Sequence, residues 1–305
     1  MRLGVLILPD DPWPVAASKW QRAERLGFDH AWTYDHLAWR SLRDSPWYGA
    51  VPTLAAAAAV TSTIRLGTLV ASPEVRHPVP FARELVTLDE IAGGRFTLGL
   101  GAGSGGWDAT VMGQPPWTPD ERADRFAEFV DLLDQLLCHP ETNYRGRYWE
   151  AHEARTAPGC VQQPRIPFGI AATRPRSMRV AARHGSLWVS SGPRTHDGPP
   201  LPAAEGAAAI ARQLARLDAA CEAEGRDPAT LDRLVLTGPV LDGGLRSLEA
   251  FREVRDAYAA LGVTDLVVHW PRPGPPYEGD EAILAVIAAD QAPGGASNRS
   301  IDGSQ

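Results

Sequence analysis

The sequence predicts a single (β/α)8 TIM barrel, and three observations carry the prediction. Short β-rich runs alternate with longer helix-like runs from one end of the chain to the other. The alternation comprises eight strand–helix units and leaves no strand over, which favours closure into a barrel over an open sheet. A length of 305 residues, 44% apolar and 22% charged, suits a one-domain α/β barrel with a large core.

The elements follow in order. Leu3–Leu8 is the first strand, followed by the amphipathic stretch Val15–Leu26, which Gly27 closes. Ala31–Tyr34 leads through a loop to a helix over Pro52–Thr61. Arg65–Ala71 precedes Val79–Ala92, a helix stopped by Gly93 and Gly94, and Phe96–Leu100 precedes Glu121–Leu137. The loop-rich stretch His139–Pro167 interrupts the rhythm. It resumes with Phe168–Ala171 and Pro175–His184, then Leu187–Ser190 and Ala203–Glu224. Leu234–Val240 and Leu248–Leu261, then Asp265–His269 and Glu281–Ala289, complete the eight units. One domain therefore spans residues 1–290, and the tail Gln291–Gln305, with little to bury, is expected to be mobile.

Composition removes several function classes. A net charge of −7 argues against a nucleic-acid partner, whose phosphates require a basic surface. Lys19 is the only lysine among the basic residues. Guanidinium groups suit phosphate or carboxylate ligands, although a coding bias gives the same composition. No run approaches the roughly 20 apolar residues of a membrane span. Leu3–Leu8 is too short for the apolar region of a signal peptide, so a cytoplasmic protein is expected. Cys138, Cys160 and Cys221 lie far apart and read as reduced thiols. His77, His139, His152, His184 and His196 lack metal-ligand spacing, so no metal is expected.

Barrel enzymes gather their chemistry at the C-terminal ends of the strands. Those ends collect Asp35-His36, Ala71-Ser72, Gly101-Ala102-Gly103-Ser104, Ala172-Thr173-Arg174, Ser190-Ser191-Gly192, Gly238-Pro239 and His269-Trp270. Histidine as a residue type suits acid/base work near neutral pH, which makes His36 a candidate, with Asp35 as a carboxylate to orient it. A capping Asp followed by a structural His is the plainer alternative. The glycines of Gly93–Ser104 do not make a dinucleotide fingerprint, which belongs at a first strand, and read instead as room for a ring system. After the fifth strand, Ala172, Thr173 and Arg174 precede a helix at Pro175, so free N–H groups and the helix dipole favour a phosphate there. Arg174 and Arg176 are its candidate clamp, against the alternative of an ordinary surface junction. Trp39, Trp47, Trp107 and Trp270 fall in loops of the same end and are candidate walls of a substrate pocket.

Four segments together resemble a known family: Leu26–His36, Ile64–Val70, Gly93–Gly103 and Ala181–Val189. In this order they resemble the luciferase-like flavin- and coenzyme F420-dependent oxidoreductases. The resemblance implies a barrel with loop insertions, usually a homodimer, that binds coenzyme F420 or FMN. It implies that Asp35 and His36 lie at the ring and that a bulge in the third strand carries a cis peptide at Leu69–Val70, a backstop for the ring beside Ala71. It also places the phosphate at Ala172, Thr173 and Arg174. The chain departs from several deazaflavin members at Ser104, where they carry a glutamate, which leaves the proton to His36 or to a substrate group. The expected activity is hydride transfer between the deazaflavin and an organic substrate. An FMNH2-dependent monooxygenase and a non-catalytic flavin-binding protein are the alternatives.

Overall fold

The strands form in chain order as β1 (Arg2–Leu6), β2 (His30–Thr33), β3 (Arg65–Ala71), β4 (Phe96–Leu100) and β5 (Glu141–Arg145). There follow β6 (Glu150–Arg155), β7 (Phe168–Ala171), β8 (Leu187–Ser190), β9 (Asp232–Leu236) and β10 (Asp265–His269). In the computed structural model, eight of these close into a parallel barrel in the order β1-β10-β9-β8-β7-β4-β3-β2, so the predicted fold is the observed one. The structure describes residues 1–291 except 38, 105, 194–197 and 239 and the side chain of Arg40. The tail expected to be mobile, beyond Gln291, lies outside the described residues, as do His196 and Pro239.

Strands buried on both faces explain the near-continuous apolar runs: β2, β4, β8 and β10 are buried at every residue. Because side chains alternate, each strand feeds two layers. Val5, Ala31, Leu66 and Leu98 pack outward with Trp20 of α1 (Trp13–Leu26), Leu54 of α2 (Ala50–Ala59) and Phe81 of α3 (Pro78–Ile91). Leu6, Trp32, Leu69, Val189, Leu234 and Val267 fill the barrel's inside.

A polar cluster fastens the N-terminal ends of three strands. Arg2 donates to both oxygens of Asp265 at 2.7 Å, and His30 Nε2 lies 3.0 Å from Asp265 Oδ1. Trp32 Nε1 donates to His30 Nδ1 at 2.6 Å. Burial alone would raise the carboxyl's pKa, but the hydrogen bonds from His30 and Arg2 outweigh it and hold Asp265 well below the usual range.

Three details differ from the sequence reading. The stretch expected to be loop contains an antiparallel hairpin, β5 with β6. Its strands are too polar to show an apolar alternation, and its turn is held instead by Glu128 of α5 (Pro119–Cys138), which accepts from the N–H groups of Arg147, Tyr148 and Trp149. A short helix, α4 (Trp107–Val111), follows β4. β9 ends at Leu236 rather than Val240, because Gly238 adopts φ 142° and its N–H turns back to the Leu241 carbonyl at 2.7 Å.

Among the described residues no helix is long and apolar enough to cross a membrane. No three His, Cys, Asp or Glu side chains converge on a metal position among them.

Candidate active site

β3 shapes the floor. Its register with β4 shifts between Thr68 and Ala71, and the Leu69–Val70 peptide is cis, at the bond the resemblance points to. Glycines on β4 admit this bulge. A Cβ on Gly99 would lie 2.0 Å from the Thr68 carbonyl oxygen, and one on Gly101 would lie 2.6 Å from Val70 Cγ2. Gly103, at φ 78°, sits over the buried Glu74, whose carboxylate accepts from the Ser104 N–H at 3.2 Å. The glycines thus make room for the neighbouring strand as well as for the cavity above it.

That cavity, of about 580 Å³, opens at the C-terminal ends of the strands. Cofactor and small-molecule sites commonly occupy about 300–1,000 Å³. His36, Leu69, Val70, Gly101, Ala102, Gly103, Ala172, Thr173, Arg174 and Arg176 all line it, so most of the predicted site residues come together. Trp39 lines it too, stacked on the His36 ring at 4.7 Å between centroids. Ala71 does not; it is fully buried and packs in the layer between barrel and helices, as its place between Val70 and Ser72 in the strand alternation requires.

The other three tryptophans stand elsewhere. Trp47 sits behind the site, donating from Nε1 to the His36 carbonyl at 2.7 Å. Trp107 is 43% exposed on α4 and covered by Arg43 at 4.0 Å. Trp270 is buried on the outward side of the barrel, where Nε1 donates to Glu281 at 2.9 Å. Position in a loop at the right end of the barrel does not decide which way a side chain turns.

Asp35 and His36 part company. Asp35 is 5% exposed and binds Arg76 through two bonds, Nε to Oδ2 at 3.0 Å and Nη2 to Oδ1 at 2.7 Å. Arg76, in the loop after β3, also lies over the Phe81 ring. The carboxylate on His36 is Asp108: its Oδ2 lies 2.6 Å from His36 Nδ1 and its Oδ1 accepts from the Leu37 N–H at 2.7 Å. The expected orienting role of Asp35 is therefore corrected, since a side chain fixed in a two-bond clasp with Arg76 faces away from its neighbour's ring. Sequence reasoning passed over Asp108; its only signal was an acid in the first turn of a helix too short to recognise.

With Asp108 ionised, its oxygens only accept, so Nδ1 carries the hydrogen. His36 Nε2 has no hydrogen-bond partner among the described residues, on a ring that lines the cavity. Beneath it Tyr34 lines the same cavity, and its hydroxyl lies 2.7 Å from His269 Nε2. Burial pushes His269 down to about 3, and its Nδ1 donates to the Thr237 carbonyl at 2.8 Å, so this second strand-end histidine is a neutral structural acceptor.

At the far wall, α6 (Pro175–His184) begins at the end of β7 with no acidic residue in its first turn. Ser177 Oγ donates to the Arg174 carbonyl at 3.0 Å and closes the helix end. Small residues on the floor, a cation-bearing helix terminus on one wall and an oriented histidine on the other fit a flat ring with an anionic arm.

The sequence profile of the luciferase-like monooxygenases matches residues 16–282. An F420-dependent glucose-6-phosphate dehydrogenase of Beutenbergia cavernae is 38% identical over 205 residues, 64% of this chain and 59% of that protein. A 5,10-methylenetetrahydromethanopterin reductase of Methanopyrus kandleri is 32% identical over 232 residues, 71% of this chain and 63% of that one. The chain thus spans about three fifths of the length of these relatives. In fold it is similar to the coenzyme F420 dependent tetrahydromethanopterin reductase structure from Methanopyrus kandleri, with a TM-score of 0.75, 21% identity, and coverage of 95% and 97% of the two chains. With most of its length matched by one family profile, the chain belongs to the luciferase-like monooxygenase family.

Proposed function

We propose that this protein is a coenzyme F420-dependent oxidoreductase acting on an organic small molecule, with His36 as its acid/base. The observation that carries the reading is His36, held by Asp108 at 2.6 Å at the edge of a cavity floored by Leu69, Val70, Gly101 and Ala102. The F420-dependent relative of Beutenbergia cavernae supports the choice of cofactor. When bound, F420 supplies the ring carbon that takes or gives the hydride.

The remaining work falls to residues of this chain. Val70 and Gly101 line the cavity and would support the ring. Trp39 and Tyr34 flank His36 and limit the position of the substrate. His36 Nε2 takes the proton of a substrate hydroxyl as it becomes a carbonyl, or returns it in the reverse direction. Asp108 steadies the imidazolium so formed and fixes its plane. Ala172, Thr173 and Arg174, which line the cavity just before α6, would hold the phosphate.

Titration with F420 and FMN side by side tests the reading. The expected result is saturable F420 binding at micromolar concentrations or below, and a change in its absorbance when a substrate is added. Absence of F420 binding overturns it. Oxygen consumption with reduced FMN, without F420 turnover, assigns the protein to monooxygenase chemistry instead.

A further inference from the structure

The cavity is lopsided. Six of the eight barrel strands supply its lining, through residues such as Tyr34 after β2, Val70 of β3, Gly101 after β4, Ala171 of β7, Val189 of β8 and Leu236 of β9. Among the described residues none of β1, of β10 or of the loops that follow them reaches it. A closed barrel brings all its strand ends to one mouth, so the sector over β1 and β10 is filled.

The filling is a stack of rings. His269, the last residue of β10, is 3% exposed, and the Tyr277 ring lies flat on it, 3.6 Å between centroids and 14° between planes. Tyr34 meets the same histidine, its hydroxyl 2.7 Å from Nε2, and the hydroxyls of Tyr34 and Tyr277 lie 3.4 Å apart. Tyr277 packs against the apolar cluster inside the barrel, to which Leu6 and Leu8 belong. Tyr34 thus faces the cavity with His269 and Tyr277 behind it.

Tyr277 does not reach this place by relaxed backbone geometry. Its φ is 69°, in the left-handed region that bulky residues rarely adopt, and such a conformation persists where the surroundings impose it. Arg272 imposes it here. Its N–H donates to the Tyr277 carbonyl at 2.9 Å and its carbonyl accepts from the Gly279 N–H at 3.0 Å, which closes the loop around Tyr277. Its guanidinium donates to the Pro275 carbonyl at 3.2 Å and reaches Asp10, in the loop after β1, at 2.9 Å. From the β9 side a glycine makes room. A Cβ on Gly238 would lie 2.5 Å from His269 Nδ1 and 3.0 Å from Tyr277 Cε1. An ion pair between two loops, a glycine and a strained backbone all serve the position of one ring.

We propose that Tyr277 is a specificity-determining residue: it plugs the sector over β1 and β10 and, from behind Tyr34, confines the substrate at His36 to a compact one. The assignment of that space to the substrate rests on the function proposed above; the plug itself rests on the ring stack. The cofactor ring has to share the cavity of about 580 Å³, so the room left beside His36 and Trp39 is set by where Tyr34 is held. A ring system too large to fit in front of Tyr34 has no second place to go while Tyr277 stands on His269.

The test grades ligand size. Cyclopentanone and cyclooctanone are titrated by calorimetry into F420-loaded wild type, Y277A and Y277F. Wild type is expected to bind cyclooctanone no more tightly than cyclopentanone. Y277A is expected to shift the ratio of the two affinities toward cyclooctanone by roughly tenfold or more, the scale on which an apolar pocket discriminates by methylene groups. Y277F, which keeps the ring on His269, is expected to keep the wild-type ratio. Y277L is expected to shift it partway, and it keeps the test intact if Y277A folds poorly. In a crystal structure of Y277A the cavity should extend over β10 as far as His269. Tighter binding of cyclooctanone by wild type, an unchanged ratio in Y277A and Y277L, equal losses for both ketones, or a loop that closes the gap overturns the proposal. A shift in Y277F as large as that in Y277A assigns the effect to the hydroxyl and overturns the plug as well. If F420 does not bind, the function proposed above fails while the plug is still tested, because the same titrations of FMN-loaded or cofactor-free protein must show the gain in Y277A.

Discussion

Asp108 Oδ2 lies 2.6 Å from His36 Nδ1, across 72 residues of sequence. The same carboxylate accepts from the Leu37 N–H at 2.7 Å, so it fixes both the ring and the backbone that carries it. Asp108 is 3% exposed, and a charge so placed is stable only while its donors remain. Asp108 thereby fixes the orientation of the His36 ring, and under the proposed function it acts on the reaction through His36 as a positioning residue.

Substitution of Asp108 is expected to separate turnover from binding. D108A should lower kcat about 100-fold while cofactor affinity stays within about twofold, and D108N, whose carbonyl still accepts from Nδ1, should lose less. Steady-state kinetics with a cofactor titration measure both. Parallel losses of kcat and cofactor affinity would mean that Asp108 merely supports the loop.

His36 itself exchanges the proton in the proposed mechanism. H36A is expected to lose roughly 10²- to 10⁴-fold in kcat, the usual contribution of a positioned acid or base. Added imidazole should restore part of it. Full activity in H36A would remove His36 from the chemistry.

Asp35 is expected to behave differently from its neighbour. It ties the loop after β2 to the loop after β3 through Arg76, with both bonds at 3.0 Å or less and Asp35 buried. Burial opposes the charge on Arg76, but the Asp35 bond outweighs it and keeps the guanidinium's pKa raised. Removing one partner of such a pair leaves the other charge without compensation, so D35A and R76A should each lower the unfolding free energy by about 3 kcal/mol. In a double-mutant cycle by urea denaturation, the double variant should lose clearly less than the sum. Additive losses would show that the two side chains do not support each other.

The barrel was legible because its signals are local. Apolar strand runs, Gly27 and Gly93-Gly94 closing helices, and glycines at strand ends all lie within a few residues of what they determine. Five strands, including β3 over Arg65–Ala71, have the bounds their sequence suggests. The cavity followed from the barrel, since strand ends converge wherever the sheet closes. The partners did not follow. Asp108 reaches His36 over 72 residues and Arg76 reaches Asp35 over 41, and no periodicity encodes which of two adjacent acids meets which base. Trp270 was misplaced for a related reason: alternation along β10 puts His269 and Trp270 on opposite faces, and the phase is set by packing.

The buried His269 makes a prediction about acid stability that is independent of the cofactor. Burial is the main cause of its low pKa, about 3, with the Thr237 hydrogen bond opposing it weakly. In the unfolded chain the ring titrates near 6.5. Between these values the unfolded state binds a proton that the folded state refuses, so this group's contribution to stability is complete above about pH 6.5 and declines as pH falls toward 3. The slope is about 1.4 kcal/mol per pH unit. In H269Q, the side-chain amide can still donate toward the Thr237 carbonyl and accept from the Tyr34 hydroxyl, but it does not titrate. Urea denaturation at pH 7.5, 6.0 and 5.0 should therefore give a shallower acid loss for H269Q than for wild type, by about 1.2 kcal/mol between the last two values, where the unfolded ring is not yet fully protonated at the higher pH. A lower starting stability of H269Q at pH 7.5 does not affect that difference, because the comparison is of slopes. Identical slopes would mean that His269 accepts its proton in the folded barrel, and that the Tyr34 hydroxyl gives up its bond to the ring in acid.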